Sequence, residues 1–97
     1  MTVKEIPDGT NLTLALTGRL DTNTSPELEK IVTSLTDVDE LVLDFAELEY
    51  VSSAGLRVIL KAHKQQSTRG GMKLRHVNDE IREVLDITGF LDILEIE

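Results

Sequence analysis

The chain offers few places where chemistry could reside. Ser52 and Ser53 stand side by side in the stretch YVSSAGLRVIL, residues 50–60, followed by Ala54, Gly55, Leu56 and Arg57. His63 and His76 are the only imidazoles, and there is no cysteine. Small residues forgo hydrophobic burial, so a run of them between an apolar segment and a helical pattern must gain something else. Three uses of the serines come into question: nucleophilic catalysis, capping of a helix, and acceptance of a phosphoryl group.

Catalysis fits poorly. A nucleophile elbow carries a glycine two residues before its serine, and neither serine has one. His63 falls on the inward stripe of a predicted helix, nearly three turns beyond Ser53. His76 alternates with Met72 and Leu74 in a predicted strand. Each reads as a half-buried structural histidine. Two isolated imidazoles make no metal site.

Capping fits well. Either serine can accept a backbone N–H at the helix start, a contact worth about 1 kcal/mol. A phosphate is also easily tolerated there, because the first turn presents free N–H groups and positive potential. Arg57 lies one turn after Ser53, where it could pair with a phosphate or simply face water. Gly55, without a side chain, lets something come close to that first turn.

The elements that must position these residues follow from periodicity. NLTLALT, residues 11–17, alternates leucine with Thr and Ala, the pattern of a strand with one buried face. TVKEI before it is a weaker strand, and Asp8-Gly9 between them signals a hairpin turn. Residues 18–24, GRLDTNT, read as a polar turn. Ser25 then reads as a cap and Pro26 as the first helical residue, with Leu28, Ile31, Val32 and Leu35 as the inward stripe.

LVLDF, residues 41–45, is a continuous apolar run, as in a parallel strand buried on both faces. The strand is expected to end near Val51, and a second helix to begin near Ala54. Leu56, Ile59, Leu60 and His63 share one face of it, with Val58 and Ala62 beside them, and Arg69-Gly70-Gly71 ends it. MKLRHV, residues 72–77, is a further strand. Asn78 caps a third helix with Asp79 and Glu80 in its first turn, where the dipole favours negative charge. Its stripe is Ile81, Val84, Leu85 and Thr88, Gly89 closes it, and ILEI, residues 93–96, is a last strand.

The order β-β-α-β-α-β-α-β predicts an α/β fold: a small mixed sheet, antiparallel in its N-terminal hairpin and otherwise largely parallel, packed by amphipathic helices. Ninety-seven residues suit a single domain with one core. The only aromatics are Phe45, Tyr50 and Phe90, so that core is aliphatic. A net charge of -8 argues against nucleic acid and anionic membrane surfaces as partners. The lack of cysteine, of an apolar signal-peptide stretch in MTVKEIPDG and of any membrane-length run fits a cytoplasmic protein.

In these stretches the chain resembles the STAS domain, the fold of bacterial anti-sigma factor antagonists. YVSSAGLRVILKAHK resembles the family's signature region, GRLDT its Gly-x-Leu-Asp segment, and MKLRHVNDEIREVLDITGF its last strand, helix and Thr-Gly turn. The three motifs occur in register over nearly the whole chain. The resemblance implies a non-enzymatic module that binds an anti-sigma factor, itself a serine kinase with a histidine-kinase-like ATPase fold, and so releases a sigma factor. It implies that the kinase phosphorylates a serine at the start of the second helix, ending binding, and that a serine phosphatase resets it. No cofactor is implied.

Laid on this chain, the family motif Asp-Ser-Ser/Thr-Gly-Leu puts its aspartate at Ser52, the phosphorylated serine at Ser53, and the following residues at Ala54, Gly55 and Leu56. Ser52 thus replaces an acidic residue, and Arg57 a position that is often glycine. Asp21 matches the acidic residue that in the family lies near the phosphorylated serine; a simple turn or cap role serves it equally well. The implied partner surface is Asp21 and Thr22 together with Ser52 to Arg57. Two other functions stay open: an accessory STAS subunit on a membrane transporter of lipids or anions, and a nucleotide-binding sensor. No glycine-rich phosphate loop supports the sensor.

Overall fold

A computed structural model describes all of residues 1–97. Its elements run β1 (Thr2–Asp8), β2 (Asn11–Leu20), α1 (Ser25–Thr33), β3 (Leu41–Val51), α2 (Ser53–Gln66), β4 (Met72–Arg75), α3 (Asp79–Ile87), a 3₁₀ turn (Phe90–Asp92) and β5 (Glu95–Ile96). The five strands form one sheet in the order β1-β2-β3-β4-β5. β1 pairs antiparallel with β2, and the remaining pairs are parallel. The expected mixed sheet and three helices are therefore present.

Alternation builds the buried face. Leu12, Leu41 and Met72 lie in register across β2, β3 and β4, as do Leu14, Leu43 and Leu74 in the next row. All six are buried and belong to one core cluster that also takes in Leu28 and Val32 of α1, Leu56 and Ile59 of α2, and Ile81 and Leu85 of α3. Each fully buried leucine contributes about 1.5–3 kcal/mol. The intervening residues Thr13, Ala15, Asp44, Lys73 and Arg75 are only partly covered. Because all three helices pack into this one cluster, they cover the same side of the sheet. Val42 is the buried residue of the other face.

The hairpin between β1 and β2 closes with Gly9 and Thr10, Asp8 pairing with Asn11. Gly9 has φ +62°, and a positive φ at the first loop residue suits a type II′ turn.

Several boundaries differ from the sequence reading. Gly18 to Leu20, read as turn, continue β2, because the β2–β3 register shifts at Ala15/Thr17 and Gly18/Arg19 and pairing resumes to Leu20↔Val51. β3 is likewise one strand from Leu41 to Val51. Ser25 is the first helical residue of α1, not its cap. Thr24 precedes it, and the Thr24 hydroxyl points back toward β2, its proton shared between the Arg19 carbonyl at 2.7 Å and Asp21 Oδ1 at 3.2 Å.

β4 stops at Arg75, since His76 takes a left-handed φ of +57°. His76 is consequently exposed rather than half-buried, with Nδ1 2.9 Å from Asp44 Oδ1. Thr88 is exposed and turns its hydroxyl to the Val84 carbonyl at 2.7 Å. Ile93 lies outside β5 and is exposed, Leu94 being the buried residue there.

In α2 the buried set is Gly55, Leu56, Val58, Ile59, Ala62 and Gln66, so Leu60 and His63 sit at the margin of the stripe. Gln66 is fully buried because its amide donates to the Val38 and Asp39 carbonyls at 3.2 and 3.1 Å, joining the end of α2 to the entrance of β3. Gly89 closes α3 with φ +80°.

Candidate functional site

β2 and β3 end together, and that common end fixes the serines. The Ser52 N–H donates to the Leu20 carbonyl at 2.8 Å. Ser52 has extended backbone angles, and its Oγ accepts from the Gly55 N–H at 3.2 Å. Its carbonyl accepts from the Leu56 N–H at 2.9 Å, so α2 begins as soon as the strand stops. Of the two serines, Ser52 is the cap. Ser53 is the first helical residue and is exposed.

The group that comes close to the first turn through Gly55 belongs to the chain itself. A Cβ on Gly55 would stand 2.8 Å from Leu20 Cγ and 2.9 Å from the Leu20 carbonyl oxygen. Leu20 is wholly buried, so α2 is seated directly on the end of β2. Leu56, the next residue, is buried in the core, whereas Arg57 is exposed.

Asp21 organises the loop that follows β2. Its Oδ1 accepts from the Asn23 N–H at 3.0 Å, the Thr24 N–H at 3.1 Å and the Thr24 hydroxyl at 3.2 Å. Arg19 Nε lies 3.9 Å from Oδ2. The Thr24 N–H bond holds the carboxyl below the ordinary value; partial burial opposes it, and the other two hydrogen bonds and Arg19 reinforce it. Its carboxylate thus has the partners of a turn-forming residue. Thr22, next along, is exposed.

Thr22, Ser25, Ala54 and Arg57 help to line one shallow recess of about 140 Å³ between the starts of α1 and α2. The recess brings Thr22 onto one surface with Ala54 and Arg57 of α2, whereas Asp21, Ser52 and Ser53 lie outside its lining. Arg19 and its contact with Tyr50 have no signal in the spacing of residues. The bulged register sets the two residues opposite each other, with the guanidinium 4.3 Å from the ring centroid. Gly18, with φ +100°, stands at one of the β2–β3 register shifts, and a glycine within a strand is the residue signal for such a bulge. Among the other residues with chemical potential, His63 is half-buried with Nδ1 unpartnered, and His76 lies far along the sheet on Asp44. No group of three His, Cys, Asp or Glu side chains is placed to hold a metal ion, and no helix is long and apolar enough to cross a membrane.

A mixed five-stranded sheet with its helices on one side and a serine pair at the end of β3 defines the class. The family description "STAS domain" matches residues 1–97, and the chain belongs to that family. BtrV of Bordetella bronchiseptica is 36% identical over 88 residues, covering 88% of this chain and 76% of the relative. The anti-sigma-B factor antagonist of Bacillus subtilis strain 168 is 30% identical over 83 residues, covering 84% and 76%. The structure of the Bacillus cell fate determinant SpoIIAA in its phosphorylated form superposes with a TM-score of 0.77 at 15% identity, covering 99% of this chain and 91% of that one.

Proposed function

We propose that this chain is a non-enzymatic anti-sigma factor antagonist of the cytoplasm, switched by phosphorylation of Ser53. Its partner is an anti-sigma factor that is also a serine kinase, and a serine phosphatase restores the hydroxyl. The observation that carries the reading is the division of labour between the serines. Ser52 supplies the cap, so the Ser53 hydroxyl is not needed for it and stands exposed at a helix start. The names of the relatives and the phosphorylated state of a protein with the same fold support the same reading.

The switch acts through charge, without refolding. Phosphoserine brings about -1.5 to -2 charges. The first-turn N–H groups and positive end of α2 accommodate that charge within the chain. A partner surface shaped around a neutral hydroxyl must desolvate it and oppose it, and about 3 kcal/mol of such cost weakens binding roughly a hundredfold. Thr22, Ala54 and Arg57 form the flanks of the contact, with Ser52, Gly55 and Leu56 fixing its backbone. Asp21 shapes the loop that presents Thr22.

The test is affinity capture from the native cell extract with wild type and Ser53→Asp as paired baits. A kinase-like anti-sigma factor retained by wild type and lost by Ser53→Asp is the expected result. Equal retention by both baits, or capture of a membrane transporter in place of the kinase, contradicts the reading.

A further inference from the structure

We propose a second docking site on this chain, a cleft between the end of β3 and α3 that takes an aliphatic side chain flanked by lysine or arginine on a partner protein. It does not depend on Ser53 or its modification. The cleft measures about 210 Å³ and is walled by Tyr50, Val51, Ile81 and Val84, with Glu49 and Glu80 at its rim. Small-molecule sites run to roughly 300–1,000 Å³, so the space suits an anchoring side chain better than a cofactor.

The walls are already in place. Val51 and Ile81 belong to the core, which fixes the floor. Tyr50, one of three aromatics in the chain, is 41% exposed. The Arg19 guanidinium at 4.3 Å stacks on its ring and holds it in position. A pre-set tyrosine beside an apolar hollow is the usual anchor of a protein contact.

Charge selects the occupant. Glu49 and Glu80 are both exposed, and α3 carries Asp79, Glu80, Glu83 and Asp86 against a single Arg82. A neutral apolar ligand would strip water from the rim carboxylates and give them nothing in return. An anionic lipid surface would be repelled by a chain of net charge -8. A basic residue on each side of an aliphatic anchor pairs the rim while the anchor fills the hollow.

The test is a titration of the ¹⁵N-labelled chain, followed by amide chemical shifts, with two blocked peptides, acetyl-Gly-Lys-Leu-Arg-Gly-amide and acetyl-Gly-Glu-Leu-Glu-Gly-amide. The basic peptide is expected to give saturating shifts confined to residues 49–51 and 80–84, with the acidic peptide about tenfold weaker or worse. Tyr50→Ala, and separately the double variant Glu49→Gln with Glu80→Gln, should each weaken the basic peptide about tenfold. All three residues are exposed, so the variants keep a dispersed native spectrum, and Ser53→Asp should bind the peptide as wild type does. Absence of saturating shifts, shifts centred elsewhere, equal response to both peptides, or unaltered binding in both variants overturns the proposal.

Discussion

Gly55 of α2 and Leu20 of β2 are in direct backbone contact: the place of a Cβ on Gly55 is 2.9 Å from the Leu20 carbonyl oxygen. That same oxygen accepts the Ser52 N–H, so one carbonyl fixes both the end of β3 and the seat of α2. Gly55→Ala gains about 1 kcal/mol of helix propensity. It must also push α2 away from an oxygen that cannot yield, an overpacking cost of about 2–3 kcal/mol. A net loss of about 1–2 kcal/mol in urea unfolding is expected, together with amide shifts at Ser52 and Ser53.

The two serines should separate cleanly by stability. Ser52→Ala removes the cap on the Gly55 N–H and should cost about 1 kcal/mol. Ser53→Ala touches an exposed residue and should stay within about 0.5 kcal/mol of wild type. Parallel urea denaturation of the two variants measures the difference, and the opposite ranking would mean that Ser53 holds the cap.

Gln66 should prove costly to replace. Gln66→Leu preserves much of the volume but withdraws the donor from the Val38 and Asp39 carbonyls. The Asp39 carbonyl retains the Gly70 N–H, whereas Val38 loses its side-chain partner. A loss of about 1–3 kcal/mol is expected by thermal or urea unfolding.

Acid should weaken the fold through Asp44. Burial tends to raise its pKa, but the hydrogen bonds with His76 and the Ala46 N–H, and the charges of His76 and Arg75, outweigh it and lower the carboxyl below 3.8. A lowered folded-state value means stability that is present above the unfolded value and lost as pH falls through the folded one. The loss therefore belongs below about pH 4. Unfolding free energy measured between pH 5 and pH 2.5 should fall less steeply in Asp44→Asn than in wild type, and identical slopes would remove Asp44 from the account.

Where the residue pattern is strictly local, the sequence told the fold. Leucines two apart marked the inner face of β2, and Asn78 marked the start of α3, where its side chain accepts the Ile81 N–H at 2.8 Å. What escaped depends on non-local pairing. Gly18 to Leu20 look like a turn, yet a bulge lets them continue the sheet. His76 has the spacing of a strand residue, yet its left-handed backbone ends β4 first. The serine junction was legible as a strand-to-helix turn, but the choice of Ser52 as cap required the Leu20 carbonyl, which no spacing reveals. The cation–π contact of Arg19 with Tyr50 was hidden for the same reason.

The claim on which the functional account rests is that the Ser53 hydroxyl is the group a kinase addresses. Mass-spectrometric mapping of phosphate, on wild type and Ser53→Ala incubated with native cell extract and ATP, tests it most directly. A single phosphate is expected on the Ser53 side chain itself, and none on the folded Ser53→Ala protein. Phosphate on Ser52 or any other residue, or undiminished incorporation in Ser53→Ala, would contradict it.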